Sequence, residues 1–151
     1  MRLPSLVQVN DRNAEYANPY QRVSAVDFDR VVVEVARDGA LRFAPRPPGP
    51  PPRAEGYLLA LTSLEHSPPH LGERHPDGDE LIYLVSGQVT VVVEAPGGDQ
   101  RYSLRAGAAL IVPRGMWHRI EVDLPARLVH LTPGPSSQHR PASEEPTGGP
   151  R

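Results

Sequence analysis

"ERHPDGDELIYLVSG", residues 73–87, sets two glutamates and a histidine immediately ahead of an apolar run. Burying charge is costly unless a partner holds it. Glu73, His75 and Glu80 therefore call for one, either another side chain or a metal ion. Glu73 and His75 stand at i and i+2, so in an extended chain both face the same side. "PDGD", 76–79, is turn-forming, so a strand entering at Glu73 is expected to fold back at Glu80, which shares parity with Ile82 and Leu84. Asp77 and Asp79 read as residues that cap this turn.

A second segment, "GAALIVPRGMWHRIEV", 107–122, carries another histidine with the same property. His118 shares parity with Ile120 and Val122, while Arg119, Glu121 and Asp123 occupy the opposite parity. His118 is thus expected on the inward face of a strand. Around these segments the chain reads as short strands. Val31, Val33 and Val35 alternate ahead of the hairpin signal Asp38-Gly39. "GYLLALTSLEH" follows a proline-rich connector. "ELIYLVSG" and "QVTVVVEA" are separated by a tight turn expected at Ser86-Gly87. "QRYSLRAG", "AALIVPRG", "WHRIEVD" and "ARLVHLTPG" complete the set. Turn signals recur every 8–12 residues, no long helical period appears, and the class expected is an antiparallel β-barrel or sandwich.

The two histidine segments together resemble the cupin superfamily of small double-stranded β-helix, jelly-roll-like barrels. The first cupin motif, roughly G-x5-H-x-H-x3–4-E-x6-G, is matched by Glu73-x-His75-x4-Glu80-x6-Gly87. The second, G-x5-P-x-G-x2-H-x3-N, is matched by Gly107-x5-Pro113-x-Gly115-x2-His118-x3-Val122. The resemblance covers about residues 57–132. Glu73 replaces the usual first histidine, and Val122 stands where asparagine is common. The resemblance implies an all-β barrel whose His75, Glu80 and His118 hold a divalent transition metal. Glu73 is then either a fourth ligand or a catalytic base beside the ion. Two imidazoles with one or two carboxylates suit Fe, Mn, Zn or Ni. It also implies a small-molecule substrate or ligand in the barrel and a homodimer, to which residues 1–35 can contribute a strand.

The expected organisation is an N-terminal arm, 1–22, a cupin barrel, 23–135, and a disordered tail, 136–151. The connector "PRPPGPPPR", 45–53, reads as a stiff surface loop. His70 is a candidate for the site mouth and His130 for a second layer behind the ligands. His66 reads as exposed, His139 and Arg140 as part of the tail or else folded over the barrel mouth, and Tyr83 and Trp117 as packing or interface residues. The functional expectation is a metal-dependent oxygenase, isomerase or lyase acting on a small polar molecule. The alternatives are a non-catalytic sensor or storage cupin, or a structural cupin with a degenerate site.

Composition narrows the field. The 151 residues carry a formal net charge of −2 with basic residues scattered, so no nucleic-acid partner is expected. There is no cysteine, which excludes disulfides, thiolate metal sites and cysteine nucleophiles. No secretory leader or bilayer-length apolar run is apparent, and the expected setting is cytoplasmic, with no membrane partner. Neither a nucleophile-elbow triad nor a phosphate-cradling glycine loop can be read.

Overall fold

A computed structural model describes residues 23–49 and 52–141. The expected arm, 1–22, and the tail beyond residue 141 lie outside the described residues. Nine strands and no helix are present among the described residues: β1 (Val31–Val35), β2 (Leu41–Pro45), β3 (Tyr57–Leu64), β4 (Gly72–Arg74), β5 (Glu80–Val93), β6 (Gln100–Arg105), β7 (Ala109–Val112), β8 (His118–Pro133) and β9 (Gln138–Arg140). Among the described residues no helix is therefore long and apolar enough to cross a membrane.

Every strand pairing is antiparallel. The strands run in the order β2-β1-β3-β8-β4-β9, and β5 joins β8 while also pairing with β6 and β7. Period-two alternation drives the assembly. Ile82, Leu84, Val89, Val91 and Val93 of β5 bury one face against Leu104, Val112, Ala126 and Leu128. A smaller cluster of Val32, Ala54, Leu58 and Ala60 packs under β1 and β3. The β1–β2 hairpin turns at Asp38-Gly39 as expected, with Gly39 at φ +86° and Ala36 N–H bonded to the Ala40 carbonyl.

Two long strands replace four expected short ones. β5 does not reverse at Ser86-Gly87; both its halves pair with β8, and the register merely shifts there. Gly87 adopts φ +83°, and a Cβ on it would lie 2.1 Å from the Pro125 carbonyl oxygen. The glycine therefore lets two backbones touch at a bend instead of turning the chain. Pro125 falls at the same break: the pairing passes from Ser86–Arg127 to Gln88–Leu124. A proline is tolerated inside β8 at such an irregularity because the ladder asks nothing of its missing N–H. Gly87→Ala is expected to destabilise the fold by roughly 3 kcal/mol, from left-handed strain plus backbone overlap. A denaturant melt giving less than a third of that loss would remove this explanation of the bend.

The bends matter for the site. Val93 pairs with His118, so along a flat ladder Glu80 and His118 would stand about 40 Å apart at ~3.3 Å per residue. They are 2.8 Å apart, side chain to side chain. That closure is the barrel.

Part of the segment expected to be tail is ordered in a strand. Residues 138–140 form β9 on the edge of β4, pairing Gly72 with Arg140, Glu73 with His139 and Arg74 with Gln138. Arg140 ion-pairs with Glu94 and its guanidinium lies 4.0 Å from the Trp117 ring centroid, with Arg74 at 5.0 Å. Asp77 and Asp79 do more than cap a turn. Asp79 accepts the Arg114 N–H at 2.8 Å, and Asp77 accepts the Ser136 N–H at 2.6 Å. They brace the loops on either side of the site.

Candidate metal centre

β4 supplies Glu73, the turn after it His75, the first residue of β5 Glu80, and the first residue of β8 His118. One donor atom from each of the four lies within 4.8 Å of the others. His75, Glu80 and His118 are only 3%, 4% and 2% exposed. The two imidazole centroids are 5.4 Å apart. The parity reading of Glu80 and His118 as inward residues is thus what the structure shows.

Hydrogen bonds fix how each donor is presented. Ser137 Oγ lies 2.8 Å from His75 Nδ1 and 3.4 Å from the Pro133 carbonyl, so it pins the ring from its outer side. His75 Nε2 is turned inward. It lies 3.2 Å from Glu80 Oε2 but outside hydrogen-bond geometry, and it has no hydrogen-bond partner among the described residues. His118 is placed differently. Its Nδ1 faces the Met116 carbonyl at 3.1 Å and its Nε2 faces Glu80 Oε2 at 2.8 Å. Both partners are acceptors only, so both ring nitrogens carry protons when no ion is bound.

The other Glu80 oxygen leads into a second layer. Thr132 donates to Glu80 Oε1 at 2.7 Å and therefore accepts from His130 Nδ1 at 2.8 Å; His130 Nε2 in turn accepts from Thr62 at 3.0 Å. Burial, the leading influence, pushes the His130 imidazole below its ordinary pKa, which keeps it in this neutral tautomer. His130 thus occupies the backing position expected for it. Thr62 and Thr132 were not singled out by sequence reasoning. Thr132 shares parity with His130 in β8, and Thr62 shares parity in β3 with Ala60, the register partner of His130, so parity was the available signal; Ser137 gave none. Thr132→Val is expected to leave two buried polar groups unpaired, costing about 1–3 kcal/mol. It is also expected to weaken ion binding by about 10-fold or more, as loss of an outer partner does. A thermal melt and a metal titration test the two parts separately.

The charges are mutually adjusted. Burial alone would raise the Glu80 carboxyl, but the hydrogen bond from His118 and the charges of both histidines outweigh it and hold the group well below the usual carboxylate range. Burial alone would lower His118; its hydrogen bond to Glu80, with the charges of Glu80 and Glu73, lifts it above the usual 6.5. Glu73 is part-exposed. Its Oε2 accepts from His139 Nε2 at 3.0 Å, and its Oε1 lies 3.8 Å from His118 Nε2. Burial would raise its carboxyl as well, but His139 and the neighbouring histidines pull it down overall. Of the two readings of His139, the loose tail is corrected and the position over the barrel mouth holds: β9 delivers it to Glu73. His70 also lines the cavity, whereas His66 is exposed and joins neither donor group.

The donor set fits a divalent ion. His75 Nε2 and Glu80 Oε2 face each other 3.2 Å apart in a buried space with no hydrogen bond between them. A cation reconciles such a pair. The N and O donors match borderline to hard ions.

An all-β barrel that gathers histidines and carboxylates from separate strands at one internal point defines the class. The family model of the cupin domain matches residues 64–140, just over half of the chain, and the chain belongs to that family. Solved structures similar in fold include three of different kinds. One is a cupin-2 domain-containing protein from Shewanella frigidimarina, at 20% identity over 52% of this chain and 72% of that one, TM-score 0.45. Another is oxalate decarboxylase from Bacillus subtilis, at 24% identity over 56% of this chain, TM-score 0.47; the match spans 24% of the decarboxylase. The third is hydroxypropylphosphonic acid epoxidase from S. wedmorenis, at 14% identity over 51% of this chain and 43% of that one, TM-score 0.43. Comparison with curated protein sequences gives no match.

Proposed function

We propose that this cupin is a metal-dependent enzyme acting on a small organic molecule held in the barrel, with His75, Glu80 and His118 as ion ligands. Glu73 serves as the fourth donor or as the base beside the ion. The observation that carries the reading is the unpartnered, buried His75 Nε2 facing the Glu80 carboxylate. When bound, a divalent ion supplies Lewis acidity toward a substrate oxygen or a site for O₂ activation.

The chain's own residues define what can approach. The cavity is about 600 Å³, of a size that suits a small molecule. Leu58, Leu64, Ile82, Ile120 and Leu128 form its apolar wall, and Glu73, His75 and Glu80 lie together at its polar end. The expected small polar molecule is thereby narrowed to one with an oxygen-bearing head and an apolar body. The wall excludes water from the body, while Glu73, less buried than its neighbours, is placed to take or return a proton at the head. Oxygenase, isomerase and lyase chemistry all fit this arrangement, because fold does not choose among them.

The test is elemental analysis of protein purified without a metal-chelate tag, then reconstitution with Fe, Mn, Zn or Ni. At least one tightly held equivalent is expected. Turnover or oxygen uptake is then assayed with keto acids and diols bearing apolar chains. Failure of all four ions to bind would sink the metal reading; stoichiometric ion and tight ligand binding without turnover would favour the non-catalytic binder.

A further inference from the structure

Glu73 presents its two oxygens to different neighbours. Oε1 looks toward His118 and the inner cluster at 3.8 Å, and Oε2 toward His139 at 3.0 Å. Outside the inner cluster, His70 completes a second group: one donor atom each from His70, Glu73 and His139 lies within 4.8 Å of the others. All three residues line the same cavity. The His70 and His139 rings meet edge to face, 5.2 Å between centroids at 75°. His70 Nδ1 is buried and has no hydrogen-bond partner among the described residues, an arrangement that costs free energy unless something binds there.

The group is held in place from both sides. The β4–β9 register sets His139 opposite Glu73. β9 is fastened by the Arg140–Glu94 ion pair, by Arg140 over Trp117, and by the Leu71 N–H to the Arg140 carbonyl at 3.0 Å. His70 precedes that same Leu71. A strand of three polar residues has no apolar reason to dock; here its docking carries an imidazole to the mouth of the cavity.

We propose that His70, Glu73 and His139 form a second cation site at the cavity mouth, next to the inner one, with the Glu73 carboxylate bridging the two. Two imidazoles and one carboxylate select borderline divalent ions, of which Zn²⁺ is the simplest probe. The site is more open than the inner one and supplies fewer protein donors, so it binds more weakly. It goes beyond the mononuclear reading above and shares only Glu73 with it.

The experiment is a calorimetric Zn²⁺ titration at pH 7.5 of the untagged full chain and of His70→Ala, His139→Gln and His118→Ala variants. Co²⁺ visible spectra serve as a second readout. The native chain is expected to take two equivalents of different affinity. His70→Ala and His139→Gln are each expected to weaken the second about 10-fold or more while the tighter one persists, which also shows that these variants remain folded. His118→Ala is expected to weaken the tighter equivalent on the order of 100-fold or more and to leave the affinity of the other unchanged. A single equivalent in the native chain, or a second that survives both mouth substitutions, overturns the proposal. Loss of the mouth equivalent in its own variants, with the tighter one indifferent to His118→Ala, would instead overturn the inner assignment and leave the mouth site standing.

Discussion

Replacing His118 with alanine is expected to lower the affinity of the inner site by on the order of 100-fold or more, above the 10–100-fold typical of losing only an outer partner. The size follows from what the imidazole does. Nε2 is 2.8 Å from Glu80 Oε2 and Nδ1 is pinned by the Met116 carbonyl at 3.1 Å, so the ring is held in place before any ion arrives. Alanine removes a ligand and also the group that orients Glu80. In the ion-free protein the same change strips a buried carboxylate of its main charged partner, a loss worth about 3–5 kcal/mol when a buried pair is broken. Thr132 still donates to Oε1, so the carboxyl is expected to escape part of that cost by protonating. Equilibrium dialysis against Zn²⁺ or Mn²⁺ measures the first effect and a denaturant melt of the apo protein the second. Near-native affinity in His118→Ala would place the ion elsewhere. Near-native stability with lost affinity would show that the contact serves binding alone.

How far the sequence carried this reading depended on which force places each residue. Glu80 and His118 were legible because β5 and β8 obey period-two alternation: a charged residue in phase with Ile82 and Leu84, or with Ile120 and Val122, must enter the barrel. Val122 packs on the core, as its place in that phase implies. Ser86-Gly87 was misread because a glycine at positive φ serves a reversal and a bend equally well. What separates them is the approach of Pro125, a contact remote in sequence. β9 was illegible for another reason. "QHR" has no apolar period at all, and its place is set by an ion pair, a guanidinium on an indole and a short backbone ladder. The tie from His139 to Glu73 went unseen with it. Thr62 and Thr132 were visible as positions and not as roles, since a hydroxyl's meaning depends on the carboxylate it happens to reach.

The gain in stability on adding a divalent ion is expected to grow with pH, by about 1.4 kcal/mol per unit across the range in which His118 is protonated. In the ion-free protein His118 has its pKa raised above 6.5, after burial is offset by Glu80. A raised histidine contributes stability that is fully present below its unfolded value and is lost as pH climbs through the folded one. Glu80 is depressed below 4.5, so its contribution is present above the unfolded value and is lost as pH falls through the folded one. The contributions of these two groups are therefore both fully present only between about pH 4.5 and 6.5. An ion bound at Nε2 requires that nitrogen to be bare. Below the folded His118 pKa, then, binding must expel one proton, and each pH unit downward weakens it tenfold. Thermal melts from pH 5.5 to 8, with and without saturating Zn²⁺, are expected to diverge steadily: the apo curve declines above neutrality while the loaded curve holds. Calorimetry at pH 5.5 in buffers of different ionisation enthalpy is expected to count close to one proton released from His118 per ion. A pH-independent gain, or no proton released, would mean that the Glu80–His118 bridge stays intact when the ion binds and that His118 is not among its ligands.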